Sequence, residues 1–314
     1  MKHKLRNTVL ITSLSLGCLH VINRCIIKAS TLKDLLPMRS GKYYNWRFGR
    51  VFYKKSGSGR PLLLIHDLTS ASSSYEWCHL EQKLSKDYTV YTLDLPGCGR
   101  SDKPNVTYTN YFYVQLINEF ITKVIKGRTS VATTGLSGSF VLMACNLNPE
   151  LYDKLVLINP ESLQKLNQVP GKRSKTAKFL IDCPIVGTSV YHILTNRDNI
   201  EYDFTEKYFF NPFDVPKRLV DIYHETAHRQ DGHGKYLYSS IKGNYLNINI
   251  SPALKKIDNS IFLIGGSHEP EIDEIMNSYV ELNPAIETAT IPHTKHLPQL
   301  EAPDKVYHLL HIFL

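Results

Sequence analysis

The sequence lacks the cysteine spacing that a disulfide framework or a zinc site requires. Its six cysteines, Cys18, Cys25, Cys78, Cys98, Cys145 and Cys183, are scattered singly over 314 residues, so free thiols and no structural metal are expected. A dinucleotide fingerprint and a phosphate-cradling loop are also missing, since Gly97-Cys98-Gly99 is only a single glycine pair. Nothing in the chain therefore implies a cofactor. Acidic residues are scarce in the first 60 positions, where 13 Lys and Arg accompany one carboxylate, Asp34. The whole chain carries +8, so the remainder behind this leader is mildly acidic. That distribution excludes a basic nucleic-acid-binding body and directs the leader to an anionic surface such as a membrane.

What is present is the composition of a folded protein, 42% hydrophobic and 21% charged. A chain of this length buries a large core, and one domain with an insertion is expected. Lys2, Lys4 and Arg6 precede an apolar run from Thr8 to Ile22, which Asn23 and Arg24 interrupt before Cys25-Ile26-Ile27. Basic residues ahead of an apolar stretch suit an uncleaved membrane helix. A cleaved signal and a helix packed on the domain are the alternatives. No Ala-x-Ala site follows, and the run is short for a span unless Arg24 snorkels. Lys28, Lys33, Arg39 and Lys42 tilt the expected topology towards a cytoplasmic body.

From Tyr43 onward two strands with a turn near Gly49 lead into a buried run at 61–65, and a second buried run follows at 88–93. Strands then alternate with helices through 154–158, stop at Asn159-Pro160-Glu161, and resume at 260–264. The fold class is therefore α/β, a mostly parallel doubly wound sheet with an inserted helical cap. The expected layout is an N-terminal segment over 1–42, core over 43–160, cap over 161–250, and core again over 251–314. Cap residues Tyr191, Tyr202, Phe204, Tyr208, Phe209, Phe210 and Phe213 supply either an apolar roof over the site or the cap's own small core.

At Gly135-Leu136-Ser137-Gly138-Ser139 a β-prone run meets an apolar helical run at a tight turn. The layout suits a nucleophile elbow with Ser137 at its apex, or a Gly/Ser packing turn. Three further motifs keep it company: the strand into His66-Asp67, the loop Asp94-Leu95-Pro96-Gly97-Cys98-Gly99-Arg100-Ser101-Asp102, and His296-Leu297-Pro298-Gln299-Leu300-Glu301-Ala302-Pro303. Together, from about residue 43 to the C-terminus with the cap excepted, the chain resembles the capped α/β-hydrolases. That group includes epoxide hydrolases, haloalkane dehalogenases and serine esterases.

The resemblance implies a triad of Ser137 as nucleophile, His296 as base and Glu269 as acid, with Glu161 the rival acid. It also implies an oxyanion hole built from the Leu68 and Gly138 amides. Dehalogenases and epoxide hydrolases of this fold carry an aspartate at the elbow, so a serine implies acyl chemistry on an ester-like, hydrophobic small molecule. Ser137 would attack, His296 would take its proton, and water would release the acyl-enzyme. An acyltransferase and a catalytically degenerate binding protein are the alternatives. Three departures bear on this: Ser139 for glycine, Lys295 before the histidine, where a cation would disfavour the imidazolium, and Asp67 for glycine. A carboxylate at Asp67 either repels an oxyanion or turns away to stiffen the loop.

Overall fold

The computed structural model describes residues 2–37 and 41–314. Arg39, counted above for topology, lies outside the described residues. Eight strands form one sheet: β1 (Lys42–Trp46), β2 (Gly49–Ser56), β3 (Arg60–Ile65), β4 (Tyr88–Leu93), β5 (Thr129–Thr134), β6 (Tyr152–Ile158), β7 (Ser260–Gly266) and β8 (Glu287–Ile291). Their spatial order is β1-β2-β4-β3-β5-β6-β7-β8. β2 pairs antiparallel with β1 and β4, and every later pairing is parallel.

Leu62, Leu63, Leu64 and Ile65 in β3 are all fully buried. This is the continuous apolar pattern of a strand covered on both faces, and each such side chain contributes roughly 1.5–3 kcal/mol. Helices α2 (Asn110–Phe120), α3 (Ser137–Leu147), α8 (Ile272–Leu282) and α9 (Pro303–Phe313) are core elements that cover the sheet. The aromatic cluster of Tyr108, Phe112, Tyr113 and Phe140 lies in the core beneath α2 and α3, with Tyr113 stacked on Phe140 at 4.9 Å.

Between β6 and β7 the longer inserted helices are α4 (Lys172–Asp182), α5 (Val186–Leu194), α6 (Lys217–His228) and α7 (Gly234–Lys242). Tyr191, Phe204 and Phe209 are buried, whereas Tyr202, Phe210 and Phe213 are exposed. Phe204 and Phe209 pack in a cluster that the inserted helices share with Leu36, Leu297 and Leu300.

The N-terminal segment is one continuous helix, α1 (Lys2–Ser30), long and apolar enough to cross a membrane and mostly exposed. Asn23 does not interrupt it. Its amide donates to the Ile185 carbonyl at 2.9 Å and its oxygen accepts from Ser189, so a buried polar residue is satisfied by the cap. Arg24 pairs with Asp231 of the cap. The chain beyond α1 is also fastened to the cap, because Leu35 donates its N–H to Glu225, which Arg229 neutralises.

The loop after β4 is pinned by a buried ion pair. Asp94 accepts from Arg100 Nε at 2.7 Å and from the Ser74 and Arg100 amides at 2.8 Å. These interactions outweigh burial and hold its carboxyl far below the usual range. Asp94→Ala leaves the Arg100 charge buried without this partner and is expected to cost about 3–5 kcal/mol. Denaturant unfolding checks it, with a loss under 1 kcal/mol as the contrary result.

Candidate active site

Parallel pairing decides which loops meet. Ile65 lies opposite Thr133, so the loops leaving β3 and β5 emerge side by side and set Asp67 next to Gly135. On the other side, Asn159 binds three loop starts together. Its amide donates to the Lys295 and His296 carbonyls at 2.8 and 2.9 Å, and its oxygen accepts the Gly266 N–H at 2.8 Å. This fixes the end of β7, which leads to Glu269, against the loop that carries His296.

His296 and Glu269 come together, with Nδ1 to Oε1 at 2.9 Å. Glu161 does not join them, because its carboxylate pairs with Lys165. The geometry departs from expectation at Ser137. Its Oγ donates to the His66 carbonyl at 2.7 Å, the residue is fully buried, and the second nitrogen of His296 goes elsewhere. That nitrogen, Nε2, lies 3.1 Å from Asp67 Oδ2.

Backbone conformation explains the displacement. The left-handed residue at the strand-to-helix turn is Gly135, with φ +57°, and Ser137 is already the first residue of α3. The sharp apex that presents an elbow side chain is thus two positions earlier than the glycine–serine pattern suggests. A Cβ placed on Gly135 would lie 2.3 Å from Asp67 Oδ1. The carboxylate of Asp67 occupies the place that an apex side chain would take.

The amides expected to form the oxyanion hole, Leu68 and Gly138, have different partners. Gly138 donates its N–H to the Gly135 carbonyl within the turn. The amide following the apex is Leu136, and it donates to Asp67 Oδ1 at 3.1 Å, alongside Leu68 at 2.7 Å. Asp67 therefore does not turn away: one of its oxygens lies between the Leu68 and Leu136 amides. Burial opposes this charge, but His296 and the two amides outweigh burial and lower the pKa of Asp67.

His296 meets an acceptor at each nitrogen, an arrangement that suits the imidazolium. Burial disfavours that charge, yet the hydrogen bonds to Asp67 and Glu269 prevail and raise its pKa well above the ordinary value. The expected effect of Lys295 is absent because its ammonium reaches away to the Glu206 carbonyl at 2.8 Å.

Sequence reasoning missed Glu76, which is fully buried beneath Asp67. It accepts the Asp67 N–H at 3.0 Å and the Gln299 amide at 2.8 Å. Burial first, then the charge of Asp67, pushes its pKa up to about 8, so it is a neutral acid at pH 7. His66 is neutral too, its pKa lowered by burial. Its Nε2 accepts the Leu95 N–H at 3.0 Å, which leaves Nδ1–H to donate to the Asp67 carbonyl at 2.6 Å. Both residues hold the Asp67 backbone.

A cavity of about 150 Å³ adjoins this loop. Thr69 and Ser70 line one wall, and the cap's Tyr208 and Tyr223 line another. Tyr208 stacks on the His296 ring at 5.4 Å, and the buried Tyr223 hydroxyl has no hydrogen-bond partner among the described residues. Burial raises the pKa of both phenols, with the charge of Asp67 adding to it, so both keep their protons.

The model of the alpha/beta hydrolase family matches residues 62–309. The chain belongs to that family. Among its relatives is a soluble epoxide hydrolase of a Corynebacterium species, 27% identical over 153 residues, 49% of each chain. The matched stretches span a third to a half of the length of the curated relatives. Among solved structures, a serine hydrolase involved in carbazole degradation superposes with TM-score 0.72 at 17% identity, over 87% of this chain and 97% of that one. A membrane phospholipase A, a bacterial virulence factor, superposes with TM-score 0.67 at 19% identity, over 100% of this chain and 98% of that one. At these identities the structural likeness concerns the fold.

Two predictions follow from this α/β-hydrolase site. Gly135→Ala forces an L-residue into φ +57° and drives its Cβ into Asp67, so a loss of about 1–3 kcal/mol is expected on denaturation. Wild-type stability there would contradict the geometry. The His296 imidazole should titrate above 6.5 by NMR and fall in Asp67→Asn. Its contribution to stability is full below pH 6.5 and is lost as pH rises through the folded-state value. That of Asp67 is full above pH 3.8 and is lost as pH falls through its lowered value. An imidazole titrating at 6.5 or lower would contradict the paired arrangement.

Proposed function

We propose that the protein is a hydrolase whose nucleophile is the Asp67 carboxylate, acting on an apolar small molecule with an electrophilic carbon, an epoxide in the first instance. The observation that carries this reading is the placement of one carboxylate oxygen between the Leu68 and Leu136 amides and the other on His296. Attack by Oδ2 on a ring carbon forms an alkyl ester and breaks the ring C–O bond. The alkoxide takes a proton from Tyr223 or Tyr208, which is why an epoxide fits better than a substrate with a leaving group that needs no proton.

Esterification removes the negative charge of Asp67, so the imidazolium loses one of the two partners that raised its pKa. It returns its proton to the phenolate, and His296, oriented by Glu269, becomes the base that activates water. Water adds to the Asp67 carbonyl carbon, and the oxyanion on Oδ1 is held by the Leu68 and Leu136 amides. Each such donor contributes roughly 3–4 kcal/mol to a transition state of this kind. Collapse expels the diol oxygen with a proton from His296, and the acid so formed returns its own proton to His296, which restores the carboxylate and the imidazolium. Epoxide and water become a diol.

The rival assignment keeps Ser137 as nucleophile on an ester, with hydrolysis or transfer to an alcohol. It requires Ser137 Oγ to leave the His66 carbonyl and reach His296. The further rival is a binding protein whose hole is permanently occupied by its own carboxylate. We also infer that α1 anchors the protein in a membrane with the hydrolase body cytoplasmic. The exposed apolar length of α1, its basic flanks and the fold likeness to a membrane phospholipase A support this.

Single turnover of an alkyl epoxide in H₂¹⁸O separates the chemical readings. The expected result is heavy oxygen first in the Asp67 peptide rather than in the diol, and an ester that accumulates in His296→Gln. Fluorophosphonate labelling of Ser137, abolished by Ser137→Ala, would establish the serine reading instead. Neither adduct nor turnover across epoxides and esters would leave the binding protein.

A further inference from the structure

Although α1 as a whole is long enough to span, its apolar run ahead of Asn23 is short for a bilayer. From Thr8 to Ile22 there are fifteen residues, about 22 Å at helical rise, against a hydrocarbon core of about 30 Å. Lys4 and Arg6 bound the run at one end. At the other, α1 already lies on the cap, where Leu19 and Ile22 share a cleft with Ile193 of α5. An α1 that spans brings the membrane down onto the cap.

The cap surface at that point is apolar. Val186, Val190, Ile193 and Leu194 follow helical spacing along one face of α5 and are 47%, 39%, 66% and 40% exposed. On the preceding helix α4, Phe179 and Leu180 are 69% and 59% exposed. The same helix starts with the exposed cations Lys172, Arg173 and Lys175, which match an anionic headgroup layer. Leu194 closes the connection, because it also lines the cavity shared with Tyr208 and Tyr223. The cavity walled by Thr69, Ser70 and Tyr208, whose ring stacks on His296, and the face beside the anchor therefore meet at one residue.

We propose that the α5 face, with Phe179 and Leu180, docks on the bilayer beside α1, and that the cavity opens there to draw its ligand from the lipid phase. The substrate class is then a membrane-dissolved molecule with a long alkyl chain. This rests on the inference that α1 is an anchor, and it is independent of which residue is the nucleophile.

The test uses the full chain in vesicles of phosphatidylcholine with a fifth phosphatidylserine and two photoreactive probes, with adducts mapped by mass spectrometry. A phosphatidylcholine carrying a diazirine at its tail end should mark α1 and also α5 and the Phe179–Leu180 region. A long-chain alkyl diazirine dissolved in the same vesicles should mark cavity residues such as Leu194, Ile200 and Tyr238. Val190→Ser with Ile193→Ser should lower the α5 adducts of the lipid probe at least fivefold while leaving those on α1. Lipid adducts confined to α1 overturn the docking surface, and an alkyl probe that never reaches the cavity overturns the entry route. Absence of adducts even on α1 overturns the anchor itself and the proposal with it.

Discussion

A carboxylate held between two backbone amides and an imidazolium is the contact around which this molecule is arranged. Asp67 is buried, so its charge persists only because every neighbour is set to favour it. The amides of Leu68 and Leu136 come from two loops that parallel pairing of β3 with β5 delivers side by side. The imidazolium comes from a third loop, fastened through Asn159. Beneath it lies a neutral carboxylic acid, Glu76, held neutral by the same burial that Asp67 overcomes. Two carboxyl groups in contact through the Asp67 backbone thus take opposite protonation states, decided by what each can bond to.

This arrangement also explains why the site reads as a hydrolase and yet departs from a serine triad. In a serine elbow the hole is empty in the resting state and fills when the oxyanion forms. Here a carboxylate belonging to the chain itself stays between the Leu68 and Leu136 amides. If its second oxygen is reactive, the resting state already has the electrostatics that stabilise the later tetrahedral species. The proposed cycle then needs only the loss and recovery of one charge at position 67 to convert His296 from a donor to a base.

Much of the architecture was legible in the residue pattern. Continuous apolar runs gave the buried parallel strands, the break after Asn159 marked the start of the cap, and the context of His296 and Glu269 located two loops that do meet. Which residue of the turn is left-handed was not legible, because glycine is ambiguous in sequence. Gly135 reads equally well as the small residue flanking an elbow or as the elbow residue itself, and only its φ distinguishes them. Asp67, Leu68 and His296 were each singled out, but their convergence with Leu136 on one carboxylate exists only in three dimensions. Glu76 gave no signal, because a glutamate in a Ser-rich segment looks like solvated surface. Asn23, which interrupts the apolar run in sequence, marks a contact with the cap within a continuous helix.

The complementarity of Gly135 and Asp67 constrains the history of the site. A side chain at the apex and a carboxylate at the neighbouring loop compete for one volume, so a change at one position alters what the other tolerates. Any route between this site and one with an apex nucleophile crosses an intermediate in which the hole is either doubly filled or vacant. Substitutions at the pair are therefore strongly non-additive, each harmful in the background that the other defines.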